Sequence, residues 1–248
     1  MDEGFPDHFS ERAGAYSSYR PTYPEELADF LAGSAPSRGL AWDAGCGSGQ
    51  FSLLLAEQFR RVLGTDASGE QIARAPVHPR AQFHRGVAGE SGLPRRSVDL
   101  ATAAQAAHWF DLESYYREVQ RVARPGALLA LLTYGTPSVV ATVDWVVERF
   151  YSGALGRYWP PERSHVEKGY RSLPFPFPEL EAPNFEMEVE WTAPEFLGYV
   201  GTWSAVRALE RAEGTGPTRT FAAELTEAWG GDAPRRVRWP LTVRVGRI

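Results

Sequence analysis

A single cysteine, Cys46, stands in the whole chain, so no disulfide can close within it and no cysteine-rich zinc site can be built. No apolar run approaches the roughly 18 residues that a membrane helix needs. The first residues are acidic and polar, unlike a signal peptide. Basic excess is also lacking: the net charge is −5 and the pI about 5.6, the opposite of a nucleic-acid binder's footprint. The five histidines are scattered without ligand spacing, which argues against a metal site. No internal repeat is visible. These absences predict a soluble, cytoplasmic protein with no nucleic-acid, membrane or metal partner, and they leave its oligomeric state open. At 248 residues, 43% hydrophobic and 23% charged, the chain can bury a full core and has an ordinary composition.

What is present centres on Leu40-Ala-Trp-Asp-Ala-Gly-Cys-Gly-Ser-Gly-Gln50. An apolar approach ends in an acid, Asp43, followed by Gly45, Gly47 and Gly49 and then the apolar start of a helix. Glycine lets such a turn take positive φ and lets a ligand come close to the backbone. The first amides of the following helix lack intrahelical partners and point at whatever is bound there. This stretch predicts a small polar ligand at the mouth of a parallel sheet.

The neighbouring pattern supplies the sheet. Pro24 to Ala32 reads as a helix with Pro and acids in its first turn. Strands are expected at about 39–44, Arg61–Asp66, Ala81–Arg85, Ser97–Ala103 and Ala127–Thr133, with helices at about 50–59 and Leu112–Val122. Ser68 is placed as a helix cap, and Arg124-Pro-Gly126 is expected to end the 112–122 helix. Strands alternating with helices at this spacing predict a Rossmann-like, doubly wound α/β sheet.

After residue 135 a helix is expected from Pro137 to Ser152, then a proline-rich aromatic stretch over 155–183. Phe185–Thr192 alternates like a strand, Pro194–Arg211 and Pro217–Trp229 read as helices, and Val237–Val245 is a final strand whose Pro240 suggests an edge or a bulge. The expected organisation is a single domain: an N-terminal flap (1–23), a ligand-binding core (24–135), a cap insertion (136–184), and C-terminal strands and helices (185–248).

Two ligand classes use a strand, glycine turn and helix. Dinucleotide enzymes want G-x-G-x-x-G, but here Gln50 holds the third-glycine position and glycine sits at 49. Asp43, two residues before the first glycine, suits a cationic ligand better than a pyrophosphate. Asp66 at the end of the second strand could accept a ribose diol in either class.

Asp43-Ala-Gly-Cys-Gly-Ser-Gly49 resembles the first motif of class I S-adenosylmethionine (SAM)-dependent methyltransferases. Asp66 matches their ribose acid, and Glu118-Val-Gln-Arg-Val-Ala-Arg-Pro-Gly126 is similar to their post-motif helix and turn. Val98-Asp-Leu-Ala-Thr-Ala-Ala-Gln-Ala-Ala-His-Trp-Phe-Asp111 resembles a narrower set, small-molecule enzymes related to trans-aconitate methyltransferase. The opening Tyr16…Tyr19-Arg-Pro, Leu155 to Arg163, and Gly198 to Ser204 fit that set too.

The resemblance implies a mostly parallel seven-stranded sheet with the last strand antiparallel, and SAM as cofactor. It implies that Gly45, Gly47 and Gly49 pass under the methionine part, with Ala44 and Cys46 lending backbone. Asp43 is to face the amino or sulfonium end, Asp66 to accept the ribose hydroxyls and Ala67 to lie against the adenine. Ala88 and Gly89 stand where the family usually has Ala-Glu, and meet the adenine edge through backbone. Ala104 and Gln105 are expected near the sulfonium, and Tyr16, Tyr19 and Arg20 are expected to close over the cofactor.

Methyl transfer from a sulfonium draws much of its rate from alignment and water exclusion. A carboxylate acceptor needs no base. A hydroxyl, thiol or amine acceptor calls for one, and His108, just after the fourth strand, is the candidate catalytic residue, with a structural role as the alternative. Arg149, Arg157 and Arg163, among aromatics in the cap, suggest an acidic small-molecule acceptor, or else surface ion pairs. Trp109, Tyr158, Trp159 and Trp203 are expected to line the acceptor site, with core packing the alternative for Trp159 and Trp203. Two other readings stay open: a SAM-binding regulator without turnover, and a dinucleotide oxidoreductase.

Overall fold

The computed structural model describes residues 21–248. The expected flap residues Tyr16, Tyr19 and Arg20 lie outside them. The chain runs α1 (Glu25–Ser34), β1 (Leu40–Ala44), α2 (Gln50–Gln58), β2 (Arg61–Asp66), α3 (Gly69–Ile72), β3 (Ala81–Arg85), β4 (Val98–Ala104), α4 (Leu112–Val122) and β5 (Ala123–Tyr134). Then follow α5 (Ala141–Arg149), α6 (Arg163–Glu167), β6 (Glu179–Leu180), β7 (Phe185–Trp191), α7 (Ala193–Val200), α8 (Ser204–Glu213), α9 (Gly216–Trp229) and β8 (Arg235–Arg247). A 3₁₀ turn at Ala107–Trp109 separates β4 from α4.

The sheet has eight strands in the order β3-β2-β1-β4-β5-β8-β6, with β7 also pairing β8. β1 to β5 pair in parallel, and Leu241–Arg247 of β8 runs antiparallel to β5. The mostly parallel sheet with an antiparallel last strand is therefore as expected. Its count exceeds the expected seven because Glu179–Leu180, inside the proline-rich stretch, adds a two-residue strand to β8.

Strand side chains alternate between faces, and both faces here are covered. Trp42, Ala101, Leu129 and Leu131 pack with Tyr115, Val119 and Val122 of α4. Their strand neighbours Ala41, Leu100, Leu128, Ala130 and Leu132 pack with Leu27 and Leu31 of α1 and with Phe51 and Leu55 of α2. A sheet buried on both sides explains why β5 reads as a continuous apolar run. Among the described residues, no helix is long and apolar enough to cross a membrane.

Three boundaries differ from the sequence expectation. Arg124-Pro-Gly126 does not form a turn outside the sheet; it lies in β5, where the pairing with β4 shifts register between Val98 and Leu100. The expected helix 194–211 divides into α7 and α8 at Gly201–Trp203. α5 gives way after Arg149 to a π-turn over Phe150–Ala154. Hydrophobic period alone spans such breaks, because residues on both sides of them still face a core.

By contacts the chain forms two units. One includes Thr136–Arg163 and Met187–Trp239; the other is Thr22–Gly135, Ser164–Glu186 and Pro240–Ile248. The expected cap stretch 136–184 is thus divided, its second half belonging with the sheet. Tyr116 Oη donates to the Pro174 carbonyl at 2.6 Å, and the Arg247 amide donates to the Pro178 carbonyl at 3.1 Å. In the other unit Trp191, Tyr199 and Trp239 stack edge to face, and Trp239 Nε1 donates to Tyr199 Oη at 3.1 Å.

α4 also disciplines the loop before β4. Glu118 Oε1 accepts from the Ser91 amide at 2.9 Å and the Ser91 hydroxyl at 2.5 Å, while Arg121 donates both to Glu118 and, at 2.6 Å, to the Leu93 carbonyl. The Arg121 bonds, then those of Ser91, hold the Glu118 carboxyl down at about 2. Glu118→Ala strands these donors, and we expect a loss of about 2–4 kcal/mol in urea denaturation at neutral pH. The loss should vanish progressively as pH falls from the ordinary carboxylate range toward 2, since protonation of the wild-type carboxylate removes the same interaction.

Candidate active site

The glycine turn joins the C-terminal end of β1 to α2, where open α/β sheets bind ligands. Its glycines take φ of 66°, 56° and 87° at positions 45, 47 and 49, so all three occupy the left-handed region. Their reasons differ. A Cβ at Gly45 would lie 2.5 Å from Ala106 Cβ, and one at Gly49 would lie 2.6 Å from the Phe83 ring. Those two glycines serve the packing of the protein itself. At Gly47 an added Cβ meets nothing within 4 Å, so this is the position that leaves space over the turn.

Asp66 holds that turn in place. One carboxylate oxygen accepts from the Gly47 amide and the other from the Ser68 amide, each at 2.8 Å. A carboxylate offers about four lone-pair sites, so these bonds are compatible with accepting hydroxyls as well. Ser68 caps α3 by accepting from the Gln71 amide, as its position in the sequence suggests. The Ala67 carbonyl, next in the chain, accepts from Arg85 Nε at 3.2 Å.

Asp43 is fully buried. The Ser52 hydroxyl donates to it at 2.6 Å and the Thr102 hydroxyl at 2.8 Å, tying β1 to α2 and β4. Burial pushes its carboxyl up from 3.8 to about 6, against the pull of those two hydroxyls and with a further rise from Asp66. Ser52 and Thr102 escaped the sequence reading, since nothing local marks them as partners of an acid up to 59 positions away. The Cys46 thiol is pushed up by burial and by the Asp43 and Asp66 charges, so it is a poor nucleophile. Its amide donates to the Thr65 carbonyl at 3.0 Å, and its sulfur packs so near Gly64 that a Cβ there would lie 2.9 Å away.

Beyond β4, Ala104 ends the strand and Gln105 follows at φ 54°, a conformation rare for a side-chain-bearing residue. Its amide behaves as one more strand residue: Nε2 donates to the Tyr134 carbonyl at 2.9 Å, and Oε1 accepts from the Thr133 hydroxyl at 2.7 Å. Its side chain thus lies on the end of β5, and its strained backbone turns the chain toward His108. The His108 ring lies 4.9 Å from that of Trp109, and Nδ1 is 2.7 Å from Tyr170 Oη. Tyr170 was not singled out by the sequence reading. Ala88 packs against the sheet core, and a Cβ on Gly89 would lie 2.9 Å from Ser114 Cβ, so the glycine in the family's usual Glu position fits against α4.

The other unit holds the remaining predicted residues. Trp159, Arg163 and Trp203 come together: the tryptophan rings are 5.7 Å apart, and the Arg163 guanidinium lies 4.9 Å from the Trp159 ring. Arg163 Nε also donates to Tyr151 Oη at 2.8 Å. Arg157 and Tyr158 both engage Glu213, with Tyr158 Oη donating at 2.5 Å. Arg149 pairs with Glu224 and lies 4.5 Å from the Trp145 ring. Among the described residues, no group of three or more His, Cys, Asp and Glu side chains could hold a metal ion.

Residues 42–131 match the family model for a methyltransferase domain. A proposed methyltransferase of Dictyostelium discoideum is 32% identical over 212 residues, 84% of this chain and 81% of that protein. An uncharacterised methyltransferase of Mycobacterium tuberculosis is 35% identical over 186 residues, 74% of this chain and 70% of its own length. Among solved structures, a proposed type II methyltransferase from Anaeromyxobacter dehalogenans superposes with a TM-score of 0.87 at 54% identity, covering 92% of this chain and 98% of that one.

The raised Asp43 carboxyl has a measurable sign. Between about pH 4 and 6 the folded state keeps a proton that the unfolded chain has lost, so this group's contribution to stability falls with rising pH and levels off above 6. The fall is on the order of 2–3 kcal/mol. Asp43→Asn should remove it, so the stability difference between variant and wild type in urea should grow in the variant's favour by that amount between the two ends of the range. A difference independent of pH would refute the burial argument.

Proposed function

Because this chain belongs to the class I SAM-dependent methyltransferases, we propose that it methylates a small acidic metabolite on a carboxylate, as a relative of the trans-aconitate methyltransferase group. The observation that carries the cofactor half of this reading is the space over Gly47, beside the Asp66 carboxylate. SAM supplies an electrophilic methyl on a cationic sulfur. The residues at the ends of β1 and β2 fit such a group. Gly47 leaves room for it, and Asp66 has lone pairs for a ribose diol. Asp43 places an ionisable acid beneath the turn, where a nearby cation would favour its charged form.

The chain's own work is then alignment. An in-line displacement between reactants already in contact needs little covalent help, and effective molarity can account for roughly 7–11 kcal/mol of barrier. An acceptor that is already an anion has no proton to lose, so no base is required of the protein. Arginine recognises carboxylates through paired N–H donors. Of the three cap arginines, Arg149 and Arg157 are engaged by Glu224 and Glu213, whereas Arg163 is held against Tyr151 and Trp159 and pairs with no carboxylate among the described residues. We assign the acceptor's carboxylate to Arg163, with Trp159 and Trp203 beside it.

Calorimetry should find binding of SAM and S-adenosylhomocysteine and none of NAD; NAD binding without SAM binding would overturn the proposal. Gly47→Ala should weaken SAM at least tenfold while costing only about 1 kcal/mol of stability, the strain of a left-handed alanine. With methyl-labelled SAM and a panel of small di- and tricarboxylic acids, phenols and amines, label should pass to the acids. For an acid so identified, Arg163→Ala should raise KM at least tenfold at unchanged SAM affinity, and Arg157→Ala should do less. Transfer only to phenols or amines would sink the acceptor assignment.

A further inference from the structure

Asp43 is a carboxyl closed in by hydroxyls and other acids. It is 0% exposed, and its two oxygens accept from Ser52 Oγ of α2 at 2.6 Å and from Thr102 Oγ1 of β4 at 2.8 Å. Among the described residues, the groups acting on its charge are these two hydroxyls and the Asp66 carboxylate at the end of β2. The titratable groups that feel it in turn are acids as well. The Cys46 thiol in the turn and the Tyr115 phenol on α4 are both pushed up, first by burial and then by the Asp43 charge. Tyr115 Oη donates to the Thr102 carbonyl at 3.3 Å, so α4 adds a neutral phenol and no counter-charge to this region. All of these residues lie in the sheet unit.

Burial and a second acid both favour the neutral form of such a carboxyl, and its proton is held up to about 6. The protein itself shows how far charge at the turn is felt. Asp66 raises the Asp43 carboxyl while its own oxygens are bonded to the Gly47 and Ser68 amides. A negative charge held at the Gly47 amide therefore acts on Asp43. The open space of the turn lies over that same residue, where an added Cβ meets nothing within 4 Å. A positive charge placed there acts on Asp43 in the opposite sense and needs no contact with it, because the interaction falls only as the inverse of distance.

We propose that Asp43 is a specificity-determining residue that tells SAM from S-adenosylhomocysteine by charge: SAM binds to the ionised carboxylate and expels its proton, whereas the neutral product binds without expelling it. The two molecules share adenine, ribose, amino group and carboxylate. They differ by one methyl and the positive charge it leaves on sulfur, so a group that reads only charge separates them. The balance is a single proton: protonated Asp43 and SAM give the carboxylate, bound SAM and a proton in the solvent. After the methyl has left, the sulfur is neutral and the carboxylate is again a buried charge beside a second acid. It then regains its proton, or holds the product more weakly than it held SAM. The inference rests on the SAM reading above, and adds to it the linkage between a proton and the charge of the cofactor.

The test needs no acceptor. Calorimetry of the full chain with SAM and with S-adenosylhomocysteine, repeated in buffers of different ionisation enthalpy, counts the protons released by each. Near pH 6, SAM should release about 0.4 proton more than the product, and near pH 8 the difference should vanish. The ratio of SAM to S-adenosylhomocysteine affinity should rise roughly five- to tenfold from about pH 4.5 to 8, the effect of one unit charge on another across a turn. Asp43→Asn should abolish both the extra proton and the pH dependence of the ratio. Ser52→Ala removes a hydroxyl that holds the carboxyl down, so it should move the rise to higher pH, and it serves if Asp43→Asn does not fold. A purely structural Asp43 would change both affinities alike and release no proton. Equal proton release with the two ligands, or an extra proton that survives in Asp43→Asn, overturns the inference and leaves the SAM reading standing. Binding of neither ligand ends both.

Discussion

A carboxyl group buried under the glycine turn is the constraint on which the site depends. Asp43 lies at the end of β1 and receives hydroxyls from α2 and β4, so three elements that converge on the turn are tied at one point. Burying an acid is costly, which is why its proton is held up to about 6. An apolar residue of similar size would spare that cost, but it could not bind Ser52 and Thr102 or place an ionisable acid beneath the turn. The adjoining Asp66 completes the frame by fixing the turn's own amide at Gly47.

Carboxylate–arginine pairs do a related job further out, holding loops where no sheet ladder reaches. Glu118 and Arg121 bind backbone groups of Ser91 and Leu93, and Arg244, itself paired with Glu179, donates to the carbonyls of Tyr170 and Leu173. In each case both partners lie on regular elements and the captured groups lie in irregular chain. Backbone polar groups in such stretches need partners when they are buried, and a guanidinium supplies several donors in one plane. The proline-rich segment 164–186 thereby belongs with the sheet unit.

The parts of this protein that were legible in its residues were those whose signals are local. β1, the glycine turn and α2 follow one another within about twenty residues, and each carries its own mark: an apolar run, positive-φ glycines, a helical period. Asp66 and Ser68 were legible for the same reason, one at a strand end and the other at a cap. The break at Gly201–Trp203 and the two-residue β6 were not, because a break between two amphipathic helices keeps their period and a short edge strand has none.

Residue order alone therefore determined the parallel α/β class, the position of the turn and the motif that places the chain among the methyltransferases. Tertiary structure decided what each marked residue does. It showed that Gly45 and Gly49 answer to Ala106 and Phe83 while Gly47 leaves space. It bound Asp43 to Ser52 and Thr102, gave Arg149 and Arg157 acidic partners, and brought Tyr170 to His108 across 62 positions of chain. Turn and strand signals come from neighbours along the backbone, whereas burial, hydrogen-bond partners and hence the proton positions of side chains arise only when distant segments exclude water together.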